Sequence, residues 1–261
     1  MNTQFVDSFR KPQTTGNLLL DMNPLSKLII CFLLGISAII AQSIPYSFAL
    51  CILYYFLAAA MGKLRSFSGI FTKIVVMILL FLLVLRQLTV KGDTVLFSIF
   101  GWKWTLEAVL VALNVSGYIL GFSGAVVLFA CATSARDLMY SLEQIGVPHT
   151  TSYIILASIQ TIADLKKSAN TIFESQKARG IEVEGNVFVR AKAFFPIISP
   201  LMLGAMSAAE EKSISMDARA FSLETRHTFL RELPKVSAGE KILVGLFLLG
   251  FIALIVCKIV L

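Results

Sequence analysis

Between positions 28 and 62 the chain carries no charged residue at all. Thirty-five residues of helix would be about 52 Å long, against a bilayer hydrocarbon core of about 30 Å, so the stretch has to fold back on itself. Pro45, with Gln42, Ser43 and Ser47 around it, is the natural turning point. The pattern therefore predicts a first membrane span over 28–44 and a second over 46–62. Ala41 and Ser43 imitate a signal-cleavage site, but the preceding tail is long for a signal peptide, and the first run is read as a span. A third span is predicted over 71–88, with Lys73 and Arg86 near its ends, where long basic side chains reach the headgroups. The fourth, over 108–135, is uncharged and carries Gly117, Gly121, Gly124 and Ala125 at helical spacing. Such a run lets helix backbones approach closely in lipid, although glycine is also simply common in membrane helices. A last span runs from 242 to the C-terminus, with Lys258 near its outer end.

Residues 132–239 break this pattern. They hold 12 of the 23 Lys and Arg and 11 of the 16 Asp and Glu, so this segment faces water on at least one side. Two apolar stretches within it, 149–163 and 194–209, are respectively punctuated by Ser and Thr and interrupted by Pro196, Pro200 and Gly204. Both are expected to be buried or interfacial segments instead of spans. The fold class is thus an all-α integral membrane protein of about five transmembrane helices with a helical cytoplasmic region between spans four and five. Its parts are 1–131, 132–239 and 240–261.

Composition agrees: 57% of residues are hydrophobic and 15% charged, and mean hydropathy is +0.80, which excludes an ordinary soluble enzyme. The net charge of +7 would suggest nucleic acid in a soluble chain. Here it resides outside the nearly balanced insert and sets orientation; no nucleic-acid partner is expected, only the lipid bilayer. A cytoplasmic insert places Arg10, Lys11, Lys27, Lys63, Arg65 and Lys73 inside, in keeping with the positive-inside rule. Lys91 and Lys103 in the outer loop are offset by Asp93 and Glu107. The N-terminus is then cytoplasmic and the C-terminus outside.

Three helices are predicted in the insert. The first, 134–145, starts with Thr133, Ser134 and Asp137 as capping or first-turn residues and stops at Gly146 and Pro148. The second, 159–178, carries Ile162, Leu165, Ala169, Ile172, Phe173 and Gln176 on one stripe, opposite Lys166, Lys167, Asn170, Glu174 and Lys177. It ends at Ala178-Arg179-Gly180, with Arg179 near the azimuth of the apolar stripe and Gly180 able to adopt the left-handed terminating conformation. The third, 203–220, has Ala205, Ala208 and Ala209 as a small-residue stripe and ends at Ala218-Arg219-Ala220. Two such termini suggest two equivalent docking pegs. Each triplet alone is equally explained by the favour a helix C-terminus shows for a cation, and both readings stay open on spacing alone.

No phosphate-binding Gly-x4-Gly-Lys-Ser/Thr loop and no His-Glu-x-x-His occurs. His149 and His227 stand singly, and Cys31, Cys51, Cys131 and Cys257 sit in apolar runs as small hydrophobes. Glu210 and Glu211 are adjacent and so do not share a helix face. No catalytic residue, metal site or cofactor is expected in this chain. The cores of spans one, two, four and five lack the charges of an ion relay.

The lead-in Asn23-Pro24-Leu25-Ser26-Lys27, the pattern Asp137-Leu138 through Leu142 to Gly146-Val147-Pro148, and the segments SANTIFESQKARG and AEEKSISMDARAF together resemble the transmembrane T component of prokaryotic energy-coupling factor (ECF) transporters. The resemblance covers nearly the whole chain. It implies a non-enzymatic scaffold whose two coupling helices, each ending in Ala-Arg-Gly, seat in two ATPase subunits that bind ATP and Mg. A separate membrane S component would capture the substrate, a vitamin or a transition-metal ion. Ala178, Arg179 and Gly180 match the first signature; Ala218 and Arg219 match the second, with Ala220 in place of the usual glycine. The lead-in has Asn23-Pro24-Leu25 where the family more often has Asp-Pro-Arg. The competing reading is a self-contained permease or membrane enzyme acting on a hydrophobic substrate.

Overall fold

A computed structural model describes residues 16–17, 19–89, 94–99, 102–180, 186–221 and 236–260. Arg10, Lys11, Lys91, Asp93 and His227 lie outside the described residues. The chain divides into two compact units, one of Met1–Gly146 with Arg231–Leu261, the other Val147–Leu230.

The first unit contains α1 (Pro24–Ala41), α2 (Ile44–Ala60), α3 (Leu64–Thr89), strands β1 (Val95–Ile99) and β2 (Trp102–Thr105), α4 (Leu106–Ala132), α5 (Ala135–Ile145) and α8 (Ala238–Val260). Helices α1, α3, α4 and α8 are long and apolar enough to cross a membrane, and α2 is a shorter apolar helix of 17 residues. The reversal between α1 and α2 falls at Gln42, which takes φ 47°, slightly earlier than the predicted turn at Pro45. Pro45 lies in the first turn of α2, where its missing N–H costs nothing. An all-α fold is corrected in the loop between α3 and α4: β1 and β2 pair as an antiparallel hairpin. Thr94 closes its base, donating through Oγ1 to Glu107 at 2.5 Å.

Helix α4 packs along α1, α2 and α3 and is the centre of this unit. A Cβ on Gly121 would lie 2.5 Å from Ala38 of α1, and one on Gly124 would lie 2.5 Å from the Tyr54 ring of α2. The glycine run on α4 is therefore a close-packing surface. Around it gather Tyr54, Phe67 and Phe71, all fully buried, with the Phe67 and Phe71 rings stacked at 4.9 Å.

Helices α1 and α8 run parallel. At their N-terminal ends the Asn23 N–H donates to Glu240 at 3.1 Å, and at the other end Ala41, Cys257 and Lys258 line one small cavity. Helix α5, which follows α4 directly, packs against α1. So α4 finishes, and α8 starts, at the face where α1 starts.

The second unit holds α6 (His149–Ala178) and α7 (Val187–Ala218). Two expectations are corrected here. Residues 149–163 are not a separate segment but the first half of the 30-residue α6. Likewise 194–209 is not broken at its prolines: the 32-residue α7 runs through Pro196 and Pro200. Four-residue spacing makes this tolerable. Pro200 has no N–H to offer the Pro196 carbonyl, and that carbonyl instead accepts from Gln176 Nε2 on α6, at 3.4 Å.

Candidate partner-docking site

The hydrogen bond from Gln176 to Pro196 ties the end of α6 to the early part of α7. At the opposite end, the Phe221 ring just beyond α7 packs on His149 and Tyr153, the beginning of α6, with centroids 5.4 and 4.9 Å apart. The two helices therefore run antiparallel. At about 1.5 Å per residue, the stretch from His149 to Gln176 sets these two ends about 40 Å apart. Arg179 is at one end of the hairpin and Arg219 at the other, and both are exposed.

Their backbones share two bonds. The Arg179 N–H donates to Gln176 O at 3.1 Å and the Gly180 N–H to Lys177 O at 3.0 Å; the Arg219 N–H donates to Met216 O and the Ala220 N–H to Asp217 O, both at 3.0 Å. Gly180 has φ 86°, and Ala220 adopts φ 58°, the left-handed conformation that alanine normally avoids. The Phe221 N–H completes the terminus by donating to Met216 O at 3.1 Å. This is the Schellman arrangement, and the apolar residue that follows it is the one that packs back onto the fold. Ala220 thus occupies the glycine position without changing the helix end, because Phe221 is anchored on two rings of α6.

Both arginines are legible in the sequence. Gln176 as a bridging donor is not, and neither are Phe221 and Tyr153 as its counterparts at the other end. Phe221 does carry a usable signal, an aromatic residue directly after the left-handed position. Gln176 falls on the apolar stripe of α6, and its half-buried position agrees with that placement. Leu165 and Ile172 of the same stripe are half-buried, whereas Ile162 is 68% exposed, so the stripe does not seal along its whole length.

Between the pinned ends the helices leave a groove of about 520 Å³, lined by Leu165 and Ile172 of α6 and by Gly204, Ala205, Ala208 and Ala209 of α7. The small-residue stripe does face another helix, but α6 does not fill the space it leaves. Large apolar side chains also stand out from this unit, Phe195 at 77% exposure among them. Among the described residues no cluster of three or more His, Cys, Asp or Glu is placed to hold a metal ion. The four cysteines are free thiols.

Residues 15–229 match the family model of the cobalt transport protein CbiQ. Among curated relatives, the energy-coupling factor transporter transmembrane protein EcfT of Staphylococcus aureus is 28% identical over 164 residues, 59% of this chain and 61% of that protein. EcfT of Brevibacillus brevis is 30% identical over 81% of this chain and 83% of its own length. EcfT of Acidaminococcus fermentans is 25% identical over 90% of each. With apolar helices, a close-packed membrane unit and a match spanning most of its length, the chain belongs to the CbiQ family, the transmembrane T components of ECF transporters.

Proposed function

We propose that this multi-pass membrane protein is the transduction scaffold of an ATP-driven importer: two ATPase subunits dock at Ala178-Arg179-Gly180 and Ala218-Arg219-Ala220, and their closure moves α6 and α7. ATP and Mg belong to those partners, and this chain catalyses nothing itself. A membrane-embedded S component that binds a vitamin or a transition-metal ion is covered by, and moved with, the apolar surface of the second unit. The observation that carries the reading is the pair of similarly built arginine termini, each followed by a left-handed residue, at opposite ends of one antiparallel hairpin. Two equivalent pegs about 40 Å apart suit two separate copies of a partner better than one. An exposed guanidinium at the tip of a helix is poised for a bidentate pair with a carboxylate in a partner groove. The parallel α1 and α8 support a path in which the N-terminus and the insert share one side, and the distribution of Lys and Arg supports that side being the cytoplasm.

Removing an arginine from such a pair costs about 2 to 5 kcal/mol, much of it from the partner charge left unpaired. Arg179→Ala combined with Arg219→Ala is expected to insert normally in the membrane, to lose copurification of nucleotide-binding subunits, and to abolish ATP-driven uptake. Wild-type uptake by the double variant would sink the docking model. Transport or catalysis by the purified chain alone would favour the self-contained permease or enzyme.

A further inference from the structure

Helix α8 leaves a trough in the membrane unit. It packs along α1 and, among the described residues, makes no comparable contact with α2. None of its apolar stretch is buried, against 44% of the corresponding stretch of α1. In lipid nothing drives apolar helices together, so a gap between them does not close of itself. The gap here is a cavity of about 360 Å³, with Leu34 and Ser37 of α1 as its floor, Leu50 and Leu53 of α2 as one wall, and Phe247 and Phe251 of α8 as the other. The two polar side chains in the lining satisfy their own donors: the Tyr46 hydroxyl donates to Ser37 Oγ at 2.8 Å, and Ser37 Oγ donates to the Leu34 carbonyl at 2.7 Å. The trough therefore offers no unpaired donor to a polar solute, and a water inside it would be poorly solvated.

One end of the trough is different. Tyr46 and Leu254 line it and also line a second cavity, which adds Ala41, Ser43, Cys257 and Lys258. Ala41 is the last residue of α1, Ser43 immediately precedes α2, and Lys258 is in the last turn of α8. All three helices end or begin at this mouth, which puts it at the level of the headgroups. The Ser43 hydroxyl does not cap α2, and among the described residues Lys258 makes no ion pair. From Leu246, deep in the trough, to Lys258 at the mouth is about 18 Å of helix, close to the half-thickness of about 15 Å of a bilayer core.

We infer that this trough binds one anionic phospholipid: an acyl chain lies between α8 and α2, and the phosphate pairs with the Lys258 ammonium and accepts from the Ser43 hydroxyl. Charge complementarity selects the headgroup, as in other basic pockets between membrane helices, while the apolar lining accepts the chain. A zwitterionic lipid fits the trough as well but brings its own cation to the mouth. The bound lipid supplies on this side of α8 the packing that α2 does not. The site is independent of docking at Arg179 and Arg219.

Native mass spectrometry of the purified, delipidated full-length chain, titrated with dioleoyl phosphatidylglycerol or dioleoyl phosphatidylcholine, tests it. One phosphatidylglycerol is expected to bind about 5-fold more tightly than phosphatidylcholine, the effect of one lysine on one anionic headgroup. Lys258→Gln, at an exposed position, is expected to remove that preference and leave phosphatidylcholine binding as it was, and Lys258→Arg to keep it. Gly250 lines the trough, and a Cβ there meets no atom within 4 Å. Gly250→Phe is therefore expected to occupy the space and weaken both lipids. Where it does not fold, Leu254→Trp, at the junction of the two cavities, replaces it. Phosphatidylglycerol should also raise the unfolding temperature of the wild type and of Lys258→Arg, but not of the filled variant. Equal binding of the two lipids by the wild type, or a preference that survives in Lys258→Gln, overturns the site, and so does binding that the filled variant leaves unchanged. A wild-type chain that is dimeric and retains no lipid would show that a second copy covers the trough instead.

Discussion

Ala220 shows how a single residue can depart from a family pattern and leave the geometry intact. Its left-handed backbone carries a strain of about 1 to 2 kcal/mol relative to glycine, held in place by Phe221 against His149 and Tyr153. Ala220→Gly is expected to gain about 0.5 to 1 kcal/mol at the end of α7, part of the relief being offset by the greater freedom of glycine in the unfolded chain. Gly180→Ala should lose about 1 kcal/mol or more at the end of α6. Amide exchange over the last turn of each helix reads both changes: slower at 216–221 in the first variant and faster at 176–180 in the second. Identical exchange in Ala220→Gly and the wild type would mean that the left-handed conformation is not under strain. From sequence, this position is legible only as a deviation. The compensating contact joins residues about 70 positions apart, and no local pattern encodes it.

At the level of elements, α4 is organised by what its glycines leave out. Its neighbours come within 2.5 Å of where a Cβ on Gly121 or Gly124 would sit, with the Ala38 Cβ and the Tyr54 ring in the way. Gly121→Val is expected to push α4 off α1 and to cost about 1 to 3 kcal/mol, read as a lower unfolding temperature of the detergent-solubilised protein. Gly245→Ala on α8, where nothing lies within 4 Å of the space its methyl would take, should be neutral or stabilising by up to about 1 kcal/mol. Equal effects at the two sites would remove the packing role of the α4 glycines. The membrane helices are legible because a bilayer demands long uncharged runs. Helix α7 is legible only over its second half, since Pro196 and Pro200 read as breakers until Gln176 supplies a donor from another helix. The hairpin of β1 and β2 escapes notice for a related reason: two strands of five and four residues between strongly apolar helices leave little periodicity to detect.

For the molecule as a whole, hydropathy and positive charge predict a topology, and the packing bears on one part of it, the relative direction of the first and last helices. Charge counting places Lys27, Lys63 and Arg65 on one side. The bond between Asn23 and Glu240 separately brings the starts of α1 and α8 together across 217 positions of sequence. Because α1 and α8 are parallel, a chain whose N-terminus is cytoplasmic must carry its C-terminus to the opposite side, whatever path the insert takes between α5 and α8. Single cysteines introduced in a variant lacking the four native ones separate the alternatives. In intact cells a membrane-impermeant thiol reagent is expected to label Leu261→Cys but not Ser134→Cys or Ser237→Cys, and permeabilisation should expose the latter two. Labelling of Leu261→Cys only after permeabilisation would show that α8 returns to the side where it begins. That would remove the five-span path, and with it the reason for so many basic residues near the ends of the first three helices.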